Sequence, residues 1–329
     1  MNRDPGAALR AGAVGLDALI RATGLPAVSI VPLPGDVGRR RYFRLILADN
    51  RSVLGVVYPG EEQDSRRRWA EARALLAPSV RVPALIADDG LGNQIVEDLG
   101  SEDLAARFAV SPVERPIWLG RAADAAAAIA RLPDPGINPA FDGALLGREL
   151  DLAREAVFEM FLGAPLSPAE REAHDAWRDA LVREVLGHPF VLCHRDFHAN
   201  NLFPLDGDVA LIDFQDLRAG PDSYDIASLL WERTTLDWMN EAAAREVVTR
   251  FAASRGVDAE AFAVRLRRVL LQRAWKVCGT FARAAAAGKA DVYRRYLPAE
   301  LALVRGLLSD SAEDSRFRKV LEGRTGSVC

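Results

Sequence analysis

The alternation of apolar and polar positions changes character along the chain. Four short runs in the first hundred residues, VSIVPL (28–33), RYFRLIL (41–47), RSVLGVVY (51–58) and NQIVEDL (93–99), are rich in β-branched and aromatic residues. Turn signals such as LPGD and ADN separate them, so each run predicts a strand. Between the third and fourth, EEQDSRRRWAEARALLA (61–77) sets its apolar residues at helical spacing among good helix formers. Beyond residue 101 the pattern becomes that of long helices rich in alanine, leucine and arginine. These are 114–132, 147–163, 168–187 and 261–288, punctuated by PDPGINP (133–139) and GAPLSP (163–168). FVLC (190–193) and DVALIDF (208–214) interrupt them as short strands. The outline is an N-terminal lobe over 1–96, a hinge over 97–100 (EDLG) and a helical lobe over 101–329, with a ligand cleft expected behind the hinge.

Composition narrows the function classes. At 329 residues, half of them apolar and 27% charged, the chain can bury a real core in two lobes. A net charge of −4 argues against a protein built to grip nucleic-acid backbone. Cys193, Cys278 and Cys329 are scattered without a CxxC pair, which argues against a disulfide framework or a cysteine-held zinc. The first 24 residues read as an amphipathic helix without a signal-peptide core, and no run of about 18 apolar residues exists to span a membrane. A cytoplasmic, monomeric protein is expected.

The densest chemistry is CHRDFHANN (193–201). His194 and His198 lie four apart, as zinc ligands on a helix would, but the glutamate of HExxH is missing and Asn200-Asn201 is a turn pair. A polar turn with His194 bonded to backbone is a second reading. A third sets Asp196 and Asn201 five apart, the HRD-x4-N spacing of a kinase catalytic loop, which needs a second magnesium ligand on a neighbouring strand. VALIDFQD (209–216) supplies Asp213 after an apolar run, and the pair of motifs selects the third reading. Two hard oxygen ligands suit a cation bridging the ATP phosphates. Asp225, in GPDSYDIASLL (220–230), starts a helix, where it could cap that helix or brace the loop.

HRDFHANNL with IDFQDLRAGPDSYDIASLL resembles the aminoglycoside-phosphotransferase-like kinases, and within them the bacterial anomeric N-acetylmuramate/N-acetylglucosamine kinases of cell-wall recycling. GDVGRRRYFRL (35–45) and LLQRAWKVCGTFARAAAAGKADVYRRYLP (270–298) are similar to further patterns of that branch. The resemblance implies an α+β, bilobal protein-kinase-like fold, with a small antiparallel sheet and one helix in the N-lobe and a mainly helical C-lobe. It also implies ATP, Mg²⁺ and an amino-sugar acceptor. On matching positions Asp196 is the implied base, with His194 and Asp225 supporting its loop. Asn201 and Asp213 are the implied magnesium ligands. The backbone of Glu97 to Leu99 would face adenine, and the Gly35–Arg41 turn would cover the phosphates.

The chain also departs from the family. No lysine precedes Lys276, so the third-strand lysine of many kinases is missing, and Arg40, Arg41 or Arg44 are the candidates to replace it. Glycine stands at Gly38 where a serine is usual. The glutamate partner on the helix at 61–77 is either Glu62 or Glu71. On the 261–288 helix, Arg265, Arg268, Lys276, Gly279 and Arg283 fall within about 40° of Gln272, a basic stripe that could line a polar cleft. Lys276 and Arg283, with Glu149 on the 147–163 helix, are the substrate-side candidates. An aminoglycoside, choline-like alcohol or amino-acid acceptor is an alternative, as is a non-catalytic nucleotide binder. A basic stripe speaks against a polycationic acceptor.

Overall fold

The computed structural model describes residues 15–34, 39–232, 234–235, 237–288 and 295–326. The start of the expected N-terminal helix, Gly38 with most of the phosphate-covering turn, Lys289 and Cys329 lie outside them. The chain forms two compact units, one running to Leu104 and including Asn201–Asp216, the other made of Ala105–Asn200 and Leu217 onward.

In the first unit, β1 (Ala27–Pro32), β2 (Arg41–Leu47), β3 (Ser52–Val57), β4 (Leu85–Asp88) and β5 (Asn93–Glu97) form one antiparallel sheet in the order β1-β2-β3-β5-β4. Period-two alternation divides its faces. Phe43, Leu45, Leu47, Val53, Val57 and Ile95 face a core completed by Leu16, Leu19 and Ile20 of a helical segment at 15–23. Gly55 admits that segment: a Cβ there would lie 2.5 Å from a Leu16 methyl. The opposite face carries Tyr42, Leu54, Val56 and Val96, which line a cavity. Helix α1 (Gln63–Leu76) buries Ser65, Trp69, Ala72 and Leu76 at helical spacing. The β7 (Leu202–Leu205) and β8 (Asp208–Leu211) hairpin belongs to this unit, fixed by the Leu211 N–H bond to the Arg81 carbonyl at 2.9 Å.

The second unit contains α3 (Arg115–Ile129), α4 (Gly143–Arg154), α5 (Pro168–Leu186), α6 (Tyr224–Leu230), α7 (Glu241–Arg255), α8 (Ala259–Ala286), α9 (Leu297–Leu307) and α10 (Ala312–Thr325), with the short α2 (Leu104–Val110) starting at its boundary. A two-stranded ladder of β6 (Phe190–Cys193) with β9 (Arg218–Pro221) lies among them. Ser167 caps α5 in a reciprocal capping box with Glu170, as its SPAE sequence dictates. Helix α4 runs on as a π-helical stretch, Glu155–Phe161, rather than as a regular α-helix through residue 163. The core is aromatic: Trp177 stacks on Phe317 with centroids 4.0 Å apart, and Trp275 meets both edge-on. Among the described residues no helix is long and apolar enough to cross a membrane.

Candidate active site

The first unit holds a cavity of about 460 Å³ whose lining, among the described residues, is its own, a size that suits a nucleotide-scale ligand. Leu54, Val56, Val96, Leu99, Phe203 and Ile212 supply apolar walls, and Arg40, Asn201, Asp213 and Gln215 supply polar groups. Phe203 and Ile212 come from the β7–β8 hairpin and its exit, so a segment distant in sequence completes the wall.

Asp213 is held in a strained conformation, with φ of 64° in the left-handed region that a non-glycine residue rarely adopts. Three contacts offset that strain. The Ile212 N–H donates to the Asn201 carbonyl at 3.0 Å. Gln215 Nε2 donates to Asp213 Oδ1 at 2.9 Å, and Phe214 stacks on Trp69 of α1 at 5.4 Å. Asn201 and Asp213 therefore present an amide and a carboxylate to one cavity, a hard-oxygen donor set that fits a magnesium ion.

Of the three candidate arginines, the structure brings Arg40 to the cavity, with Nη2 3.5 Å from Asp213 Oδ1. Burial works against its charge, but Tyr42, Asp213, Tyr58 and Glu62 outweigh burial and hold its pKa above the usual value. Arg44 is committed elsewhere: its Nε lies 2.6 Å from Asp98, and it also reaches the Gly100 carbonyl. Arg41 is exposed and does not line the cavity. The two glutamate candidates separate in the same way, because Glu62, just before α1, acts on Arg40 whereas exposed Glu71 pairs with Arg67 one turn away at 3.0 Å. Glu97 and Leu99 line the cavity, and the Glu97 carboxylate is held by Arg81 and by the Ala84 N–H.

The second unit holds the Asp196 loop. Cys193 ends β6, and the next two N–H groups, of His194 and Arg195, donate to the Asp225 carboxylate at 2.7 and 2.9 Å. Asp225 thus braces the loop by accepting its backbone donors. Its own pKa rises because burial outweighs the charge of His194 and those bonds. Arg195 has φ of 79°, a second left-handed non-glycine residue, immediately before Asp196. Burial pushes the Asp196 carboxyl up, but Lys276 foremost, then Arg273, Arg195 and His194, outweigh it and keep the group below its ordinary value. Asp196 is a half-buried carboxylate whose neighbouring cations favour its ionised form.

Glu149 of α4 meets Lys276 of α8 at 3.0 Å, Gln272 Nε2 at 2.9 Å and Arg195 at 3.7 Å. The stripe on α8 is therefore not a free basic face. Arg265 pairs with Asp222 at 2.6 Å and Arg268 with Asp314 at 2.8 Å. Gly279 packs against Ala153, and among the described residues exposed Arg283 reaches the Leu152 carbonyl. Acids on distant elements neutralise Arg265, Arg268 and Lys276, which helix periodicity could not show. The zinc reading of the two histidines also fails. Among the described residues the metal-like cluster is Asp151, His174 and Asp175, and there Arg178 already bonds both carboxylates.

A five-stranded antiparallel sheet over a nucleotide-sized cavity, with an HRD loop in a helical unit, defines a kinase-like phosphotransferase. The chain belongs to the phosphotransferase enzyme family, whose pattern it matches over residues 29–266. It is similar to the N-acetylmuramate/N-acetylglucosamine kinase of Neisseria meningitidis serogroup B, at 29% identity over 287 residues, 84% of this chain and 85% of that one. The protein of that name from Pseudomonas aeruginosa is 32% identical over 209 residues, 62% of this chain and 60% of that relative, less than two thirds of its length. The solved gentamicin complex of APH(2")-IIa shares the fold, with a TM-score of 0.61 at 15% identity over 96% of this chain and 99% of that one. The protein is a kinase with a hydroxyl acceptor, and ATP is the phosphoryl donor that its family implies.

Proposed function

We propose that this kinase phosphorylates the C1 (anomeric) hydroxyl of N-acetylmuramic acid, N-acetylglucosamine or both, in cell-wall recycling. The observation that carries the reading is the match to the Neisseria kinase, which is named for those sugars and matched over 85% of its length. The neutralised stripe on α8 no longer argues against a polycationic acceptor, so acceptor choice rests on the relatives and on the residues around Asp196.

Bound Mg-ATP would supply the phosphoryl group and spread its developing charge over the metal. Asn201 and Asp213 would hold the ion, Arg40 would neutralise phosphate oxygens in place of the absent lysine, and the backbone from Glu97 to Leu99 would face adenine. Asp196 would accept the proton of the acceptor hydroxyl and orient its oxygen for in-line attack. Glu149 and Lys276 would take acceptor hydroxyl, acetamide or carboxylate groups, and Arg283 would serve at the margin of that site.

Turnover of ATP against a panel of amino sugars, followed by phosphorus NMR of the product, tests the assignment. A C1 phosphate is expected; a 6-phosphate, or no turnover with any sugar, would overturn it. Asp196→Asn should abolish transfer while nucleotide still binds.

A further inference from the structure

Arg273 is a buried cation, 8% exposed, with no carboxylate within ion-pair distance among the described residues. Taking a guanidinium out of water costs several kcal/mol unless it is compensated, so its place needs an explanation. Its contacts supply one. Nη1 donates to the carbonyl of Arg195 at 3.3 Å, and Nη2 donates to the hydroxyl of Ser228 on α6 at 2.7 Å. The guanidinium also lies over the Tyr224 ring, 4.6 Å from its centroid. Tyr224 and Ser228 are both on α6, which also carries Asp225.

Both backbone groups of one residue are thus held. Asp225 accepts the Arg195 N–H, and Arg273 donates to the Arg195 carbonyl. Arg195 is the residue with φ of 79°, and its carbonyl belongs to the peptide that carries the Asp196 nitrogen. A non-glycine residue remains in the left-handed region only when its surroundings overdetermine it. We propose that Arg273 is a positioning residue for the reaction: its fork anchors the Arg195–Asp196 peptide to α6 and so sets the direction in which the Asp196 carboxylate points.

The inference rests on Asp196 as the base. Arginine suits the task because its planar fork reaches two acceptors at fixed angles while its face rests on a ring. A lysine keeps the charge but cannot reproduce the fork.

The experiment compares Arg273→Lys, Ser228→Ala and Asp196→Asn in the full chain, with kcat, the KM for ATP and the pH dependence of kcat/KM. Arg273→Lys should lower kcat by about tenfold to a hundredfold, the scale of a misplaced reacting group. It should leave the KM for ATP and the acid limb in place, since the charge facing Asp196 is kept. Ser228→Ala, which removes one anchor of the fork without touching its charge, should lower kcat in the same direction by less. It serves as the readout where Arg273→Lys unfolds. Arg195→Gly, which makes φ of 79° free of strain, should shrink the Arg273→Lys defect in the double variant. Wild-type kcat in folded Arg273→Lys, or strict additivity with Arg195→Gly, would overturn the proposal while Asp196→Asn remained inactive. An active Asp196→Asn would instead remove the base on which the proposal rests.

Discussion

The Lys276 ammonium lies 3.0 Å from the Glu149 carboxylate, and Lys276 is also the strongest charge favouring ionised Asp196. Burial alone would raise the Asp196 pKa; Lys276 is the first of the cations that reverse this. Lys276→Met should therefore let that pKa rise, and the acid limb of kcat/KM should move to higher pH. Activity would fall first at the acid end of the profile, where Asp196 takes up its proton. An acid limb that stays in place would show that Lys276 does not set the charge of Asp196.

Arg40 and Arg41 are neighbours in sequence with different expected effects. Arg40 lines the cavity beside Asp213, whereas Arg41 is exposed and does not line it. Arg40→Ala should raise the KM for ATP by roughly tenfold, the scale of one charge-assisted contact of about 1.5 kcal/mol. Arg41→Ala should leave that KM unchanged. The reverse pattern would reassign the phosphate cation.

Much of this site is legible in the chain because its chemistry is local. HRDFHANN and IDFQD carry their spacing in sequence, and the β-branched and aromatic residues of RYFRLIL and RSVLGVVY mark strands, but adjacent apolar residues in both runs leave the core face unmarked until the register is seen. Length alone does not hide a strand, since the four-residue FVLC of β6 is legible, but LFPL in β7 and RAGP in β9 carry proline or glycine and LIAD in β4 has only one β-branched residue. Partners across the fold are less legible still. Arg265, Arg268 and Lys276 share a helix face, but their neutralising acids, Asp222, Asp314 and Glu149, come from three other segments. Arg273 lies one residue from Gln272 in the same pattern and reads as an ordinary helix arginine. Only the left-handed Arg195 that it contacts distinguishes it, and φ is not written in sequence.

Gly279 is required for packing rather than for a turn. A Cβ there would lie 2.4 Å from the Ala153 Cα and 2.7 Å from its Cβ, so α8 and α4 touch through this position. The obstacle is backbone on a neighbouring helix and cannot swing aside. Gly279→Ala should therefore destabilise the protein by about 1–3 kcal/mol despite alanine's better helix propensity. Chemical unfolding midpoints of the two proteins measure this. Equal midpoints would mean that the helices separate without cost.

Glu300 on α9 gives a stability prediction with a definite sign. It is 1% exposed, and among the described residues its Oε1 has no hydrogen-bond partner. Burial first, then the charge of Glu232, push its pKa up to about 8 against the opposing charge of Arg273. In the unfolded chain a glutamate titrates near about 4.3, so between the two values the native state holds a proton that the unfolded state has lost. The stability linked to this group is fully present below the unfolded value and is lost as pH rises through about 8. Glutamine mimics the protonated acid without titrating. Glu300→Gln should match wild type near about pH 5 and exceed it near about pH 9, by an amount on the order of a few kcal/mol. Unfolding measured across that range decides it, and parallel stability curves for the two proteins would show that Glu300 does not carry the pH dependence.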